Sequence, residues 1–263
     1  MRRSQRLKNL TIAITVVLQL ATASPSAGSN LSIDGIVAIG DSLTAGLSVT
    51  AGGTITCAVL DNKILTPTTQ GDCRGDGAVN KGGWQPELNQ ATSTNNYNYG
   101  YTGYQTPSIL ANLNGDLAGQ PATHVLIMAG TNDVIRGSVS NAITNLRSMV
   151  LQVKSNGQTP IVATVPPLLF SSRSYRNSQI LQLNGLIMNL QDEFKDLQIA
   201  DMYTRLEPDW VQNSSGDNIH ISPQGNALIA DEWVLAIERD RKRKAGINAI
   251  PAIISILLDE EAP

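Results

Sequence analysis

The sequence predicts an α/β chain: a three-layer α/β/α sandwich built on a mostly parallel, five-stranded sheet. Three observations carry this. Residues 36–39, 125–129 and 161–165 are apolar runs uninterrupted by charge, as expected of parallel strands covered on both faces. The segments between them place apolar residues at helical spacing. Strand and helix alternate at lengths that fit βαβ crossovers.

In chain order, residues 1–23 come first and stand apart. Arg2, Arg3, Arg6 and Lys8 precede an apolar run over 10–20, and Ala21-Thr22-Ala23 follows. A basic, then hydrophobic, then small-residue segment is the pattern of a secretory signal, which predicts an extracytoplasmic protein, periplasmic or secreted. The run is too short to span a bilayer comfortably, so no stable membrane span is expected after cleavage; an uncleaved anchor is the alternative. Cleavage would remove four of the 19 basic residues and none of the 22 acidic ones, giving a net charge of −7. That surface lacks the basic footprint nucleic acid requires and disfavours anionic lipid. The basic run at 239–244 contains Asp240 and reads as a solvated helix end.

A single domain is expected over 24–244. Its first strand, 36–39, leads into Gly40-Asp41-Ser42 and a short helix. Residues 48–96, rich in Gly, Thr and Asn, interrupt the alternation as an insertion. They hold both cysteines. Outside the cytosol, Cys57 and Cys73 would close a short loop worth about 3 kcal/mol; two free thiols are the alternative. Neither a CxxC spacing nor a nearby histidine points to a metal. Residues 98–101 and 198–202 are weaker strand candidates. A helix is expected over 139–156, with Val139, Ile143, Leu146, Met149, Val150 and Val153 on one face. A second is expected over 174–195, with Ile180, Leu183, Ile187, Leu190 and Phe194. The last helix starts cleanly, with Ser222 as N-cap and Pro223 in the first turn, and should run to about Lys244. The tail, 245–263, either packs back on the body or frays.

Ligands of open α/β sheets bind beyond the carboxyl ends of the strands. Ser42 falls there, at the start of a short helix, where a nucleophile attacking a carbonyl would be well placed; alone, it reads equally well as an N-cap. A serine nucleophile needs a base, and the chain has two histidines. His124 opens a strand at its amino end, the wrong edge of the sheet. His220 precedes the final helix, with Asp217 three residues earlier; the carboxylate can orient the imidazole and stabilise the imidazolium that forms. An oxyanion would need donors. Asn132 follows the strand at 125–129, and Gly103 follows the candidate strand at 98–101. With the Ser42 amide, these make three.

These four blocks, in this order, resemble the SGNH hydrolase superfamily, also called the GDSL esterases and lipases. Gly40-Asp41-Ser42-Leu43 matches its nucleophile block. Gly103 matches its glycine block, with Gly100 competing. Gly130-Thr131-Asn132-Asp133 matches its Gly-x-Asn-Asp block, and Asp217-Asn218-Ile219-His220 its Asp-x-x-His block, with Asn218 where members often have Gly. The resemblance spans residues 33–244. It implies a flavodoxin-like α/β/α hydrolase that needs no metal or cofactor and acts on ester or thioester bonds through an acyl-enzyme. Ser42, Asp217 and His220 would be catalytic, and Ser42, Gly103 and Asn132 would form the oxyanion hole.

Five of the 11 aromatic residues, Trp84, Tyr97, Tyr99, Tyr101 and Tyr104, fall within 84–104 beside the glycine block. Flat amphipathic rings can stack on sugars, and the segment 82–88 faintly resembles a region of SGNH carbohydrate acetylesterases, with Gln85 where those carry a basic residue. Trp84 and Tyr104 are therefore expected at a substrate site, together with Leu168 of the segment 166–170; packing of the insertion onto the body is the alternative. The expectation is a carboxylic ester hydrolase acting on a small-molecule or glycan ester. Within the class, a lipase, lysophospholipase or thioesterase competes. From another class, an acyl-transfer or glycan-binding module does.

Overall fold

The computed structural model describes residues 34–66, 69–168 and 173–259. The segment 1–23, expected to be a leader, and Leu169 and Phe170 of the segment 166–170 lie outside them. The described strands are β1 (Ile36–Gly40), β2 (Leu47–Val49), β3 (Ile55–Cys57), β4 (Lys63–Leu65), β5 (Ala78–Val79), β6 (Asn96–Gly100), β7 (His124–Met128), β8 (Thr159–Ala163) and β9 (Gln198–Ala200). Five of them, in the order β6-β1-β7-β8-β9, are parallel throughout, a flavodoxin-like order.

The sheet differs from expectation in having a sixth strand. β5 pairs antiparallel with β6 at the edge. It is two residues long inside a Gly- and Asn-rich segment, too short to leave a pattern. The earlier part of the insertion makes a separate antiparallel sheet of β2, β3 and β4. A Cys57–Cys73 disulfide, with both cysteines fully buried, anchors it.

Alternation along β1 sets the layers. Val37 and Ile39 face one side, Ile36 and Ala38 the other. The first side is covered by α3 (Thr106–Leu117), α5 (Val139–Ser155) and α6 (Arg173–Glu193), through Ile109, Leu113, Leu146, Met149, Leu183 and Ile187. The second is covered by α2 (Gln85–Thr92), α7 (Met202–Leu206) and α9 (Pro223–Asp259), through Leu88, Met202, Leu206, Ile229, Trp233 and Ile237. Each of these large side chains contributes about 2 kcal/mol by leaving water. The remaining helices are short: α1 (Ser42–Ala45), α4 (Thr131–Ile135) and α8 (Trp210–Asn213).

Ser222 caps α9 as its sequence suggests, its Oγ accepting from the Gly225 N–H at 3.1 Å. The helix does not end near Lys244 but continues to Asp259. Gly246 lacks the left-handed φ that would close it. Residues 33–243 form one compact unit. No helix among the described residues is long and apolar enough to cross a membrane.

Candidate active site

β1 ends on Gly40, a position where nothing larger fits: a Cβ there would lie 2.1 Å from Thr44 Oγ1 and 2.3 Å from the Met128 carbonyl oxygen. Asp41 caps the next turn, its Oδ1 accepting from the Leu43 N–H at 3.0 Å. Gly46, at φ 80°, closes α1 after a single turn. This sharp strand-to-helix turn sets Ser42 just beyond the carboxyl end of a central strand.

The second component is a closed loop before α9. The Ser215 N–H donates to the His220 carbonyl at 2.7 Å. Asp217 Oδ1 accepts from the Ser215 hydroxyl and from the Ile219 and His220 amides, each at 3.0 Å. Asn218 takes φ 59°, a left-handed conformation asparagine tolerates. The other carboxylate oxygen, Asp217 Oδ2, lies 2.6 Å from His220 Nδ1, and His220 Nε2 lies 2.8 Å from Ser42 Oγ. Three side chains from the two ends of the sequence thus form one hydrogen-bonded chain.

The carboxylates around this chain differ in electrostatics. Burial alone would raise the Asp217 carboxyl. The hydrogen bond from His220, its charge and the two loop amides outweigh burial and hold Asp217 well below the usual carboxylate value. It therefore stays charged opposite the imidazole. Asp41 goes the other way: complete burial pushes it up to about 6, against the Leu43 amide and the His220 charge, which both pull it down.

Two turns follow β6 and β7, the strands that flank β1. After β6, Gly100 and Gly103 are both required, for different reasons. A Cβ on Gly100 would meet the Ala45 nitrogen at 2.1 Å, so Gly100 lets β6 pack against α1. Gly103 is exposed, open around its Cα and held at φ 78°, which makes it a rim residue. After β7, Asn132 donates from Nδ2 to the Tyr104 carbonyl at 2.9 Å, tying the two turns together. An amide group has two N–H donors, so this bond commits only one. Asp133 is buried and accepts from the Thr106 amide at 2.9 Å and the Thr106 hydroxyl at 2.7 Å. It thereby fixes the start of α3 beside Asn132.

Two expected substrate residues are corrected. Trp84 is fully buried against Trp233, ring centroids 5.6 Å apart. Leu168 is 1% exposed in the core beneath α6. Neither side chain is open to solvent in this structure: both large apolar groups close the two cores. Tyr104 is half-buried, stacked on Tyr101 at 5.1 Å. Gln85, at the position compared with a basic residue, instead donates to the Thr44 carbonyl at 2.8 Å and steadies the end of α1. His124 is buried at the amino end of β7, the edge its sequence position indicates. Reading the sequence assigned no role to the Asp41 cap or the Asp133 tether. Both lie within the quoted blocks, and their spacing to Leu43 and their place after the glycine were the available signals.

Between the insertion and the body lies a groove of about 510 Å³ with a mixed lining: Ser48, Asp61, Asn80, Lys81 and Asn226 are among its polar residues, Ala58 and Pro86 among its apolar ones. It is bounded by Ile221, the residue after His220. Among the described residues, no group of three or more His, Cys, Asp or Glu side chains converges to hold a metal.

The family model described as the GDSL-like Lipase/Acylhydrolase family matches residues 38–228. A lipase/acylhydrolase from Enterococcus faecalis has the same fold, with a TM-score of 0.60 at 20% identity over 80% of this chain and 97% of that one. A member of the lipolytic protein G-D-S-L family from Veillonella parvula gives 0.57 at 20% identity, covering 78% and 98%. An acetylxylan esterase from Geobacillus stearothermophilus gives 0.56 at 18%, covering 78% and 94%. No curated protein matches the sequence.

Proposed function

The chain belongs to the GDSL-like Lipase/Acylhydrolase family, and from that premise we propose that it is a serine esterase that cleaves carboxylic esters through an acyl-enzyme. One observation carries the reading: the unbroken path from Ser42 Oγ to His220 Nε2 at 2.8 Å and from His220 Nδ1 to Asp217 Oδ2 at 2.6 Å. In the proposed first step, Ser42 Oγ bonds to the ester carbonyl carbon as its proton passes to His220 Nε2. Asp217 stabilises the resulting imidazolium and keeps the ring in the productive tautomer. The carbonyl oxygen becomes an oxyanion held by the Ser42 and Gly103 amides and by the second N–H of Asn132. Collapse breaks the bond to the alcohol oxygen, which takes the proton from His220. Water then repeats the sequence against the acyl-serine.

The groove beside Ile221, whose lining mixes polar and apolar groups, has room for a hydroxyl-rich alcohol part, a carbohydrate or glycolipid. The acetylxylan esterase among the solved structures is compatible with this at the level of fold. The leader-like residues 1–23 and the disulfide support an extracytoplasmic site of action.

The test is an ester panel, p-nitrophenyl acetate to palmitate plus acetylated oligosaccharides, run on wild type and Ser42→Ala. The expected outcome is hydrolysis favouring acetyl-sugars and a loss of about a thousandfold or more in the variant. Unchanged turnover in Ser42→Ala rejects the nucleophile. Long-chain preference replaces the carbohydrate reading with a lipase. Tight glycan binding without hydrolysis, or acyl transfer to a sugar, replaces the esterase.

A further inference from the structure

Gly103 sits between two residues that the inserted segment grips. On one side, the Cys73 carbonyl accepts from the Thr102 hydroxyl at 2.8 Å and from the Thr102 amide at 3.4 Å. On the other, Arg74 Nη2 donates to the Tyr104 hydroxyl at 2.7 Å. The Arg74 guanidinium stands 5.3 Å from the Tyr104 ring centre and 5.9 Å from that of Tyr101. Tyr101 is in turn fixed by donating its hydroxyl to Asp116 Oδ1 at 2.6 Å. The backbone joins in: Arg74 bridges Tyr101, and the Gly75 N–H donates to the Gly100 carbonyl at 2.9 Å. Cys73 is a buried half of the disulfide, so the segment is tethered upstream as well.

The contact reaches past the glycine turn. The carbonyl of the gripped Tyr104 is the acceptor for Asn132 Nδ2. A shift of Tyr104 would therefore disturb both turns, moving the Gly103 amide and releasing the Asn132 side chain. Donors for a transition state act by being preorganised, and displacement by a fraction of an ångström weakens them.

We propose that Arg74, delivered by the disulfide-tethered insertion, is a positioning residue that holds Tyr104 and through it orients the Gly103 and Asn132 donors. This rests on the esterase reading above and on those two residues as oxyanion donors. Arg74 acts through Tyr104 and touches no reacting atom. The insertion thus has a role in rate as well as in shaping a groove.

The experiment is steady-state hydrolysis of p-nitrophenyl acetate by Arg74→Gln, Tyr104→Phe and the double variant, with Tm measured for each and Ser42→Ala as control. Tyr104→Phe removes the hydroxyl that Arg74 holds and keeps the stacked ring. Each single variant should lower kcat about tenfold with KM within twofold and Tm little changed, and the double variant should lose no more than either alone. Inactivation by a p-nitrophenyl phosphonate, which also develops charge on an oxygen in the hole, should slow by the same factor. The proposal is overturned if kcat holds within twofold, if KM rises while kcat holds, or if the two losses multiply. It is also overturned if every loss is matched by a fall in Tm. If Ser42→Ala keeps the rate, it is the esterase reading that fails.

Discussion

The molecule builds a histidine next to a hydroxyl and an aspartate twice, at opposite edges of the same sheet. At the carboxyl edge, His220 joins Ser42 and Asp217 at 2.8 and 2.6 Å. At the amino edge, His124 Nδ1 lies 2.9 Å from the Thr123 hydroxyl, and its Nε2 lies 3.4 Å from Asp240 Oδ2. The parts are the same and their situations are not. Thr123 is the neighbour of His124 in the chain, and it leads into a strand instead of ending one. Asp240 is fully buried and shared with Arg243 Nη2 at 3.0 Å, whereas Asp217 is braced by loop amides that leave one oxygen for the imidazole. Around Thr123 the hydrogen bonds serve the strand instead: the Gly35 carbonyl accepts from its amide at 3.1 Å, and Gln158 Nε2 donates to the neighbouring Ala122 carbonyl at 3.0 Å. The lesson is that a hydroxyl, an imidazole and a carboxylate become a candidate catalytic unit only where strand ends, a sharp turn and donor turns meet.

The largest expected effect tests that contrast directly. Asp217→Asn should cut kcat by about ten-thousandfold, because the amide can stabilise the wrong tautomer and carries no charge for the imidazolium. Asp240→Asn should leave kcat within twofold and lower stability by about 1–3 kcal/mol, through the loss of a buried charged partner. Kinetics and thermal melts on both variants check this; a large kcat loss from Asp240→Asn would break the comparison.

Next in size, Asn132→Ala should reduce kcat about a hundredfold with KM nearly constant. A drop of less than threefold would remove Asn132 from the oxyanion hole and leave the two edges less different than they look.

The smallest effect concerns Asp41, the buried acid beside the serine. Its carboxyl stands at about 6 in the fold against an ordinary 3.8. Below the ordinary value the group is protonated in both the folded and unfolded chains and costs nothing. As pH rises from there to about 6, the unfolded chain loses the proton first and folding stability falls. Above about 6 the full cost is present, about 2–3 kcal/mol from a shift of this size. Asp41→Asn keeps an acceptor for the Leu43 amide and removes the charge. It should be more stable than wild type at pH 8, with the gap closing by pH 4, as read by denaturant unfolding at both values. A gap that is constant or grows in acid would refute burial as the cause.

Much of this fold was legible because buried parallel strands leave a local trace. β1, β7 and β8 appear as charge-free apolar runs, and α5 and α6 as helical periodicities whose ends shift by only a residue or two. β5 left no trace, since two residues cannot show a period and its pairing is supplied entirely by β6. The site residues were named from four short blocks, and the structure brings Ser42, His220 and Asp217 together across 178 positions of sequence. Trp84 and Leu168 were misplaced for a physical reason: aromatic and aliphatic composition looks the same whether a side chain closes a core or lines a cleft. Arg74 was invisible, because its meaning lies in a contact with Tyr104, 30 positions away.

By itself the sequence determined the order of the five parallel strands and of the long helices after β7, the glycines that tight turns demand and the identity of the reactive side chains. Periodicity, steric limits on φ and functional-group chemistry are all properties of neighbours along the chain. Only the tertiary structure decided how closely His220 meets the serine, which carboxylate stays charged and which inserted arginine reaches the donor turn. Those depend on distance, burial and dielectric environment, and these exist only once remote segments have packed.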